Sequence, residues 1–219
     1  MDKGVSGIIC IGSVFDKTFN ETSILSEYSS IPFILTNHPM RADNVCCVDF
    51  DEDSGIKKAI SHLVKKRHTD VFFVRDTDSF SANKKVRVFL RQLQVHGLES
   101  GKSHVIETTR SLEGGRAAVD AILDIGKPFN AILFNDDLTA IGGMKHLIEL
   151  GYRVPEDVSI IGYNNTSYSK CSTPTLTTVN TDFETLGSLC VTLLMGLIEG
   201  GNSSNSVSIA TELVVRESS

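Results

Sequence analysis

Apolar residues along this chain come in short unbroken runs separated by amphipathic stretches. The runs Val5–Ile11, Ile31–Thr36, Val45–Val48, Val71–Val74, Ala131–Phe134 and Val158–Ile161 are continuous rather than alternating. That pattern predicts strands buried on both faces. Between them, Ile56, Ala59, Ile60, Leu63 and Val64 recur at helical spacing. Val86, Phe89, Leu90 and Leu93 do the same, with Gly97 as a C-terminal stop. Ala118, Val119, Ile122 and Leu123 form a third stripe, ended by Gly126. A fourth helix carries Leu138, Ile141, Lys145 and Ile148 on one side, and Leu147 and Leu150 widen its apolar face. Its expected N-cap is Asp137 and its stop Gly151. Leu186, Cys190, Leu193 and Leu197 mark a fifth. Strands alternating with such helices predict an α/β fold with parallel sheets and right-handed crossovers. The tail from Val207 to Leu213 alternates apolar and polar residues, as a half-exposed or edge strand does, and residues 200–205 before it read as a loop.

This order sets two polar clusters, Asn135-Asp136-Asp137 and Asn164-Asn165, at the carboxyl ends of two strands. In open α/β sheets ligands bind there. Composition narrows the partners. The 219 residues suffice for one large or two small domains, and 41% hydrophobic with 22% charged residues is ordinary for a globular protein. A formal charge of −6 is no footprint for nucleic acid. The densest basic run, Lys65-Lys66-Arg67-His68, falls at a helix end, where cations complement the helix dipole. Five cysteines without a framework predict a reduced, cytoplasmic chain, and the adjacent Cys46 and Cys47 are not expected to pair. No apolar run approaches a membrane span of about 18 residues, and the start has no signal-peptide layout. A nucleophile elbow, metal-ligand spacing and phosphate-binding glycine loop are all missing, so no enzyme, metal or cofactor is expected.

Motifs in the middle of the chain carry a resemblance. They are Asp137-x-x-Ala140-x-Gly142, the turn Gly151-x-x-Val154-Pro155-x-Asp157-Val158-Ser159, the strand end Ile161-Gly162-Tyr163, Pro174 with Leu176 to Thr178, and the closing run Leu213 to Ser218. Upstream stand Ile31-Pro32 and an Asp51 followed eleven residues later by His62-Leu63. Together, in this order, they resemble the core of LacI-family transcription regulators over essentially the whole chain. The resemblance implies a periplasmic-binding-protein-like type I core: two α/β lobes of parallel sheets flanked by helices. Family members begin with a helix-turn-helix head and a hinge, which have no counterpart in this sequence. Gly4 to Ile9 resembles the strand that follows the first two strand–helix units of the N-terminal lobe. That lobe is therefore expected to be incomplete and to self-associate, be disordered, or bind effector weakly. Its expected extent is residues 1–50 plus about 182–205. The C-terminal lobe is expected at about 51–181 plus about 206–219.

The family binds its effector between the lobes, and the resemblance carries its contacts onto Asn37, Phe50, Ser79, Ser81, Lys85, Arg110, Asp136, Asn164 and Thr181. Asn37 and Asn164 stand where the family has Asp, Lys85 where it has Arg, and Arg110 where several members have an aromatic platform. Each residue also has a structural alternative. Asp136 and Asp137 can cap a helix, and Asp137 is assigned that role. Asn164 and Asn165 can form an Asx turn, with ligand contact favoured for Asn164 and the turn for Asn165. Phe50 can be ordinary core, and Ser79 and Ser81 can cap the Val86 helix. Lys85 and Arg110 are expected in solvent, and His62 and His68 to be structural or exposed. Hydroxyl, amide and carboxylate groups suit a neutral sugar or nucleoside, whereas a strongly anionic ligand would want a firmer arginine cluster.

The resemblance thus implies the effector-binding and dimerisation core of a LacI-type regulator, a homodimer that reaches operator DNA only through a helix-turn-helix head and touches no membrane. The alternative is an exported sugar-binding protein of a transport system with the same fold.

Overall fold

The computed structural model describes residues 4–12, 27–37, 40, 42–201 and 206–219. The chain divides into two compact units. The first is Met1–Asp51, Ser79–Ser81 and Asp182–Ala210, and the second is Glu52–Asp78, Ala82–Thr181 and Thr211–Ser219.

In the first unit β1 (Ile8–Cys10), β2 (Phe33–Thr36), β3 (Val45–Phe50) and β9 (Val207–Ile209) form a sheet in the order β1-β2-β3-β9, every described pair parallel. Alternate residues of β2 and β3 face opposite sides. Phe33, Leu35, Val45 and Cys47 pack in one cluster. Ile34, Cys46, Val48 and Phe50 pack in another, against Leu186 and Cys190 of helix α6 (Phe183–Ile198). Burial on both faces is why these strands read as unbroken apolar runs. It also sends neighbouring Cys46 and Cys47 to opposite sides of the sheet, and neither forms a disulfide.

The second unit holds a sheet in the order β10-β8-β7-β6-β4-β5: β4 (Val71–Arg75), β5 (Val105–Glu107), β6 (Ala131–Phe134), β7 (Ser159–Asn164), β8 (Thr177–Asn180) and β10 (Glu212–Val214). All pairs are parallel except β10 with β8. Helices α1 (Glu52–Lys65) and α2 (Phe80–Val95) cover one face through Ile56, Ile60, Leu63, Phe89 and Leu93. Helices α3 (Leu112–Asp124) and α4 (Asp137–Glu149) cover the other through Val119, Ile122, Met144 and Leu147. A five-residue helix α5 (Ser167–Cys171) joins β7 to β8.

Helices α3 and α4 approach at glycines. A Cβ on Gly115 would stand 2.1 Å from the carbonyl oxygen of Thr139, and one on Gly142 would stand 2.1 Å from that of Leu112. The α4 stop is at Gly151, whose φ of 91° a side chain would strain.

Two expectations need correction. The N-cap of α4 is Asp136, whose carboxylate accepts from Leu138 N at 2.9 Å; Asp137 is the first helical residue. The tail is not one strand. Residues 207–209, expected with the C-terminal lobe, pair with β3 of the first unit, and 212–214 pair with β8 of the second. Apolar alternation alone cannot see that the chain changes sheets at Ala210-Thr211. The loop expected at 202–205 lies outside the described residues.

Candidate functional site

Parallel strands β4, β6, β7 and β8 of the second unit end together, and their carboxyl ends carry Asp76, Asn135-Asp136, Asn164-Asn165 and Thr181. Asn164 and Asn165 leave β7 with φ of 96° and 50°. That left-handed backbone is one that asparagine tolerates better than most residues.

Hydrogen bonds link these ends side by side. Asn135 donates to Asp76 Oδ1 at 2.6 Å, and the Thr139 hydroxyl donates to Asp76 Oδ2 at 2.7 Å. Asn164 donates to Asp136 Oδ2 at 2.9 Å, and Thr181 donates to Asn164 Oδ1 at 3.3 Å. Arg110, on the loop between β5 and α3, sets its Nε 3.7 Å from Asp76 Oδ2 and 3.8 Å from Asp136 Oδ2. Beneath them lies Lys85 of α2. Its ammonium donates to Asn135 Oδ1 at 3.2 Å, sits 3.9 Å from Glu52 Oε1 and lies 3.8 Å from the centre of the Tyr163 ring.

The expectation that Lys85 and Arg110 are solvated fails for Lys85, which is 5% exposed. Burial lowers its pKa, while the carboxylates of Glu52 and Asp76 pull it back up. The arginine side chain is half-exposed, as expected, yet it faces both aspartates.

Asp137 and Asn165 serve the scaffold. Asp137 accepts from the Thr178 hydroxyl at 2.6 Å, Thr166 N at 2.6 Å and the Thr166 hydroxyl at 2.9 Å, tying α4 to β8 and the β7–α5 loop. Burial raises its carboxyl pKa to about 6, against the lowering effect of those donors. Asn165 is bonded to Asn180, Thr178 and Arg216. Both histidines are structural: His62 meets Ser219 Oγ at 3.1 Å and His68 meets Ser159 Oγ at 2.8 Å.

The structure brings Lys85, Arg110, Asp136, Asn164 and Thr181 into one network. The other four candidates belong to the first unit. Asn37 has a φ of 54° and accepts from Phe50 N at 3.4 Å. Phe50 is buried in that unit's core, edge-on to Phe183 at 5.5 Å. Ser79 and Ser81 are half-buried at the start of α2. Asp76, Thr139 and Glu52 are network members that the sequence reading missed. Asp76 stands two residues after the Val71–Val74 run, as Asp136 does after Ala131–Phe134, so the strand-end rule applied to Asp136 also points to it. Thr139 and Glu52 carry no such signal.

The model of the periplasmic binding protein-like domain matches residues 60–219. The chain belongs to this family. A curated "HTH-type transcriptional regulator" from Lachnoclostridium phytofermentans is 26% identical over 219 residues, covering 99% of this chain and 66% of the relative. Two solved structures share the fold. A transcriptional regulator CelR–cellobiose complex has a TM-score of 0.86 at 23% identity, with 99% of this chain and 67% of that one covered. The Lac repressor bound to ONPG has a TM-score of 0.90 at 24% identity, with 100% and 65% covered. The chain spans just under two thirds of the length of the Lachnoclostridium relative.

Proposed function

We propose that this chain is the effector-binding and dimerisation core of a LacI-type transcription regulator, cytoplasmic and without enzymatic activity. The observation that carries the reading is the linked row of polar side chains Asp76, Asn135, Asp136, Asn164 and Thr181 across four strand ends, with Arg110 over it. Ligands of open α/β sheets bind at such ends.

The effector is a small polar molecule, a sugar or nucleoside, and the presence of cellobiose in one relative's structure supports the sugar class. Asp136, Asn164, Lys85, Arg110 and Thr181 are the proposed contacts in the second unit, and Asn37, Phe50, Ser79 and Ser81 those in the first. Lys85 acts mainly by fixing Asn135. Operator DNA is contacted through a helix-turn-helix segment of the longer, homodimeric regulator. Effector changes operator affinity only if it binds one regulator state better than the other.

The test is fluorescence anisotropy of labelled operator on a full-length regulator carrying this core, titrated with sugars and nucleosides. One of them is expected to shift operator affinity. Asp136→Ala is expected to weaken that response at least tenfold, since charge-assisted hydrogen bonds are the strong ones. An operator affinity indifferent to every compound would defeat the reading.

A further inference from the structure

The charges of this network do not balance. The carboxylates of Asp76, Asp136 and Glu52 have side-chain exposures of 0%, 11% and 6%, and among the described residues the only cation buried with them is Lys85. Lys85 makes its short contacts to Glu52, Asn135 and the Tyr163 ring, so Asp76 and Asp136 share its single charge with Glu52 at longer range. The other cation facing them is Arg110, a half-exposed side chain whose Nε stays at 3.7 and 3.8 Å. Those distances are too long for a hydrogen bond. Arg110 therefore supplies a field without a bond.

The hydrogen-bond inventory points the same way. A carboxylate offers about four acceptor positions. Asp136 uses two, for Leu138 N and Asn164, and Asp76 uses two, for Asn135 and Thr139. What the row still has to give is acceptors and negative charge. A neutral hydroxyl uses the first, and an ammonium uses both.

We infer that the effector carries a protonated amine, as an amino sugar does, seated on Asp136 with Asp76 behind it, and that Arg110 is the internal cation it displaces. This rests on the binding reading above and narrows its ligand class. It also gives Arg110 a specificity role opposite to that of an arginine that grips its ligand. Such an arginine forks to an anion, whereas this one competes with a cation.

Matched pairs test it by calorimetry on the full chain: glucosamine with glucose, galactosamine with galactose and mannosamine with mannose, plus glucuronate as the anionic arm. At least one amine is expected to bind about tenfold or more tightly than its parent sugar, and glucuronate most weakly. Asp136→Asn, which keeps the shape and the cap, should erase the preference. Arg110→Gln should tighten the amine several-fold relative to its parent sugar. If parent sugars bind as well as amines in every pair, the amine inference falls and the sugar-binding reading stands. If glucuronate binds best, or if Arg110→Gln weakens the amine relative to its parent sugar, Arg110 grips the ligand rather than competing with its ammonium and the inference is overturned. If a chain shown to be folded by circular dichroism binds none of these sugars, both fall.

Discussion

Asp136 and Asp137 are adjacent in sequence and opposite in circumstance. Asp136 lies within the row with an oxygen toward Arg110, and Asp137 is fully buried against hydroxyls. Asp137 ionises at about 6, above its ordinary 3.8, because burial penalises the charge more than its three donors relieve it. The folded state therefore holds this proton more tightly than the unfolded chain does between about pH 4 and 6. Stability from this group is present below that window and lost as pH rises through it, with an amplitude of roughly 2–3 kcal/mol. Urea unfolding at intervals from pH 4 to 7 is expected to show the wild type losing stability relative to Asp137→Asn across the window. Parallel profiles for the two proteins would refute the buried ionisation.

Helix stripes were legible because they depend on local spacing, and α1, α2, α3 and α6 bury or half-bury the residues that repeat at that spacing. The α4 stripe needs correction: Leu147 is buried, but Lys145, Ile148 and Leu150 are exposed, and the buried face runs through Thr139, Ala140, Gly142, Gly143 and Met144, whose small residues carry little apolar signal. Strands with long apolar runs were legible for the same reason. Two others were not. Strand β5 is a three-residue edge with half-exposed side chains, and β8 begins Thr177-Thr178, which reads as loop chemistry. The burial of β8 becomes intelligible only through its partners: Thr178 donates to Asp137, and Thr177 accepts from Arg216 N at 2.8 Å. The site divides likewise. Strand-end residues were found by a topological rule, but the burial of Lys85 follows from Glu52 and Tyr163, more than 30 and 70 residues away in sequence. The α3–α4 crossing is the element-scale feature most open to test. Gly142→Ala sets a methyl group 2.1 Å from Leu112 O, a backbone atom that cannot rotate aside. Overpacking of this kind costs about 1–3 kcal/mol or more, so the melting temperature should fall by several degrees. Gly187→Ala in α6, where an added Cβ meets nothing within 4 Å, should leave it unchanged or raise it.

Across the whole molecule the chain leaves the second unit at Asp182, runs through α6 and β9 in the first, and returns at Thr211. Neither unit is a continuous segment, so each needs residues far from its own start. The last nine residues show what the return contributes. Strand β10 pairs antiparallel with β8. Ile160 N donates to Ser218 O at 2.7 Å, Ser218 N to Thr175 O at 3.0 Å, and the Ser218 hydroxyl to Ile160 O at 2.6 Å. Ser218 and Ser219 are buried. Ending the chain after Ala210 would leave those backbone groups of β7 and the β8 approach without partners, at about 1–3 kcal/mol each where they stay buried, and would strip the sheet of its antiparallel edge. The first unit keeps every one of its residues in that variant. Hydrogen exchange read by mass spectrometry is therefore expected to show lost protection concentrated in peptides covering β7 and β8, including the strand ends that carry Asn164 and Thr181. Peptides covering β2, β3 and α6 should keep their protection. Equal loss in both sets would mean that the two units do not hold their structure independently, and unchanged protection of β7 would mean that the tail hydrogen bonds contribute nothing to the sheet.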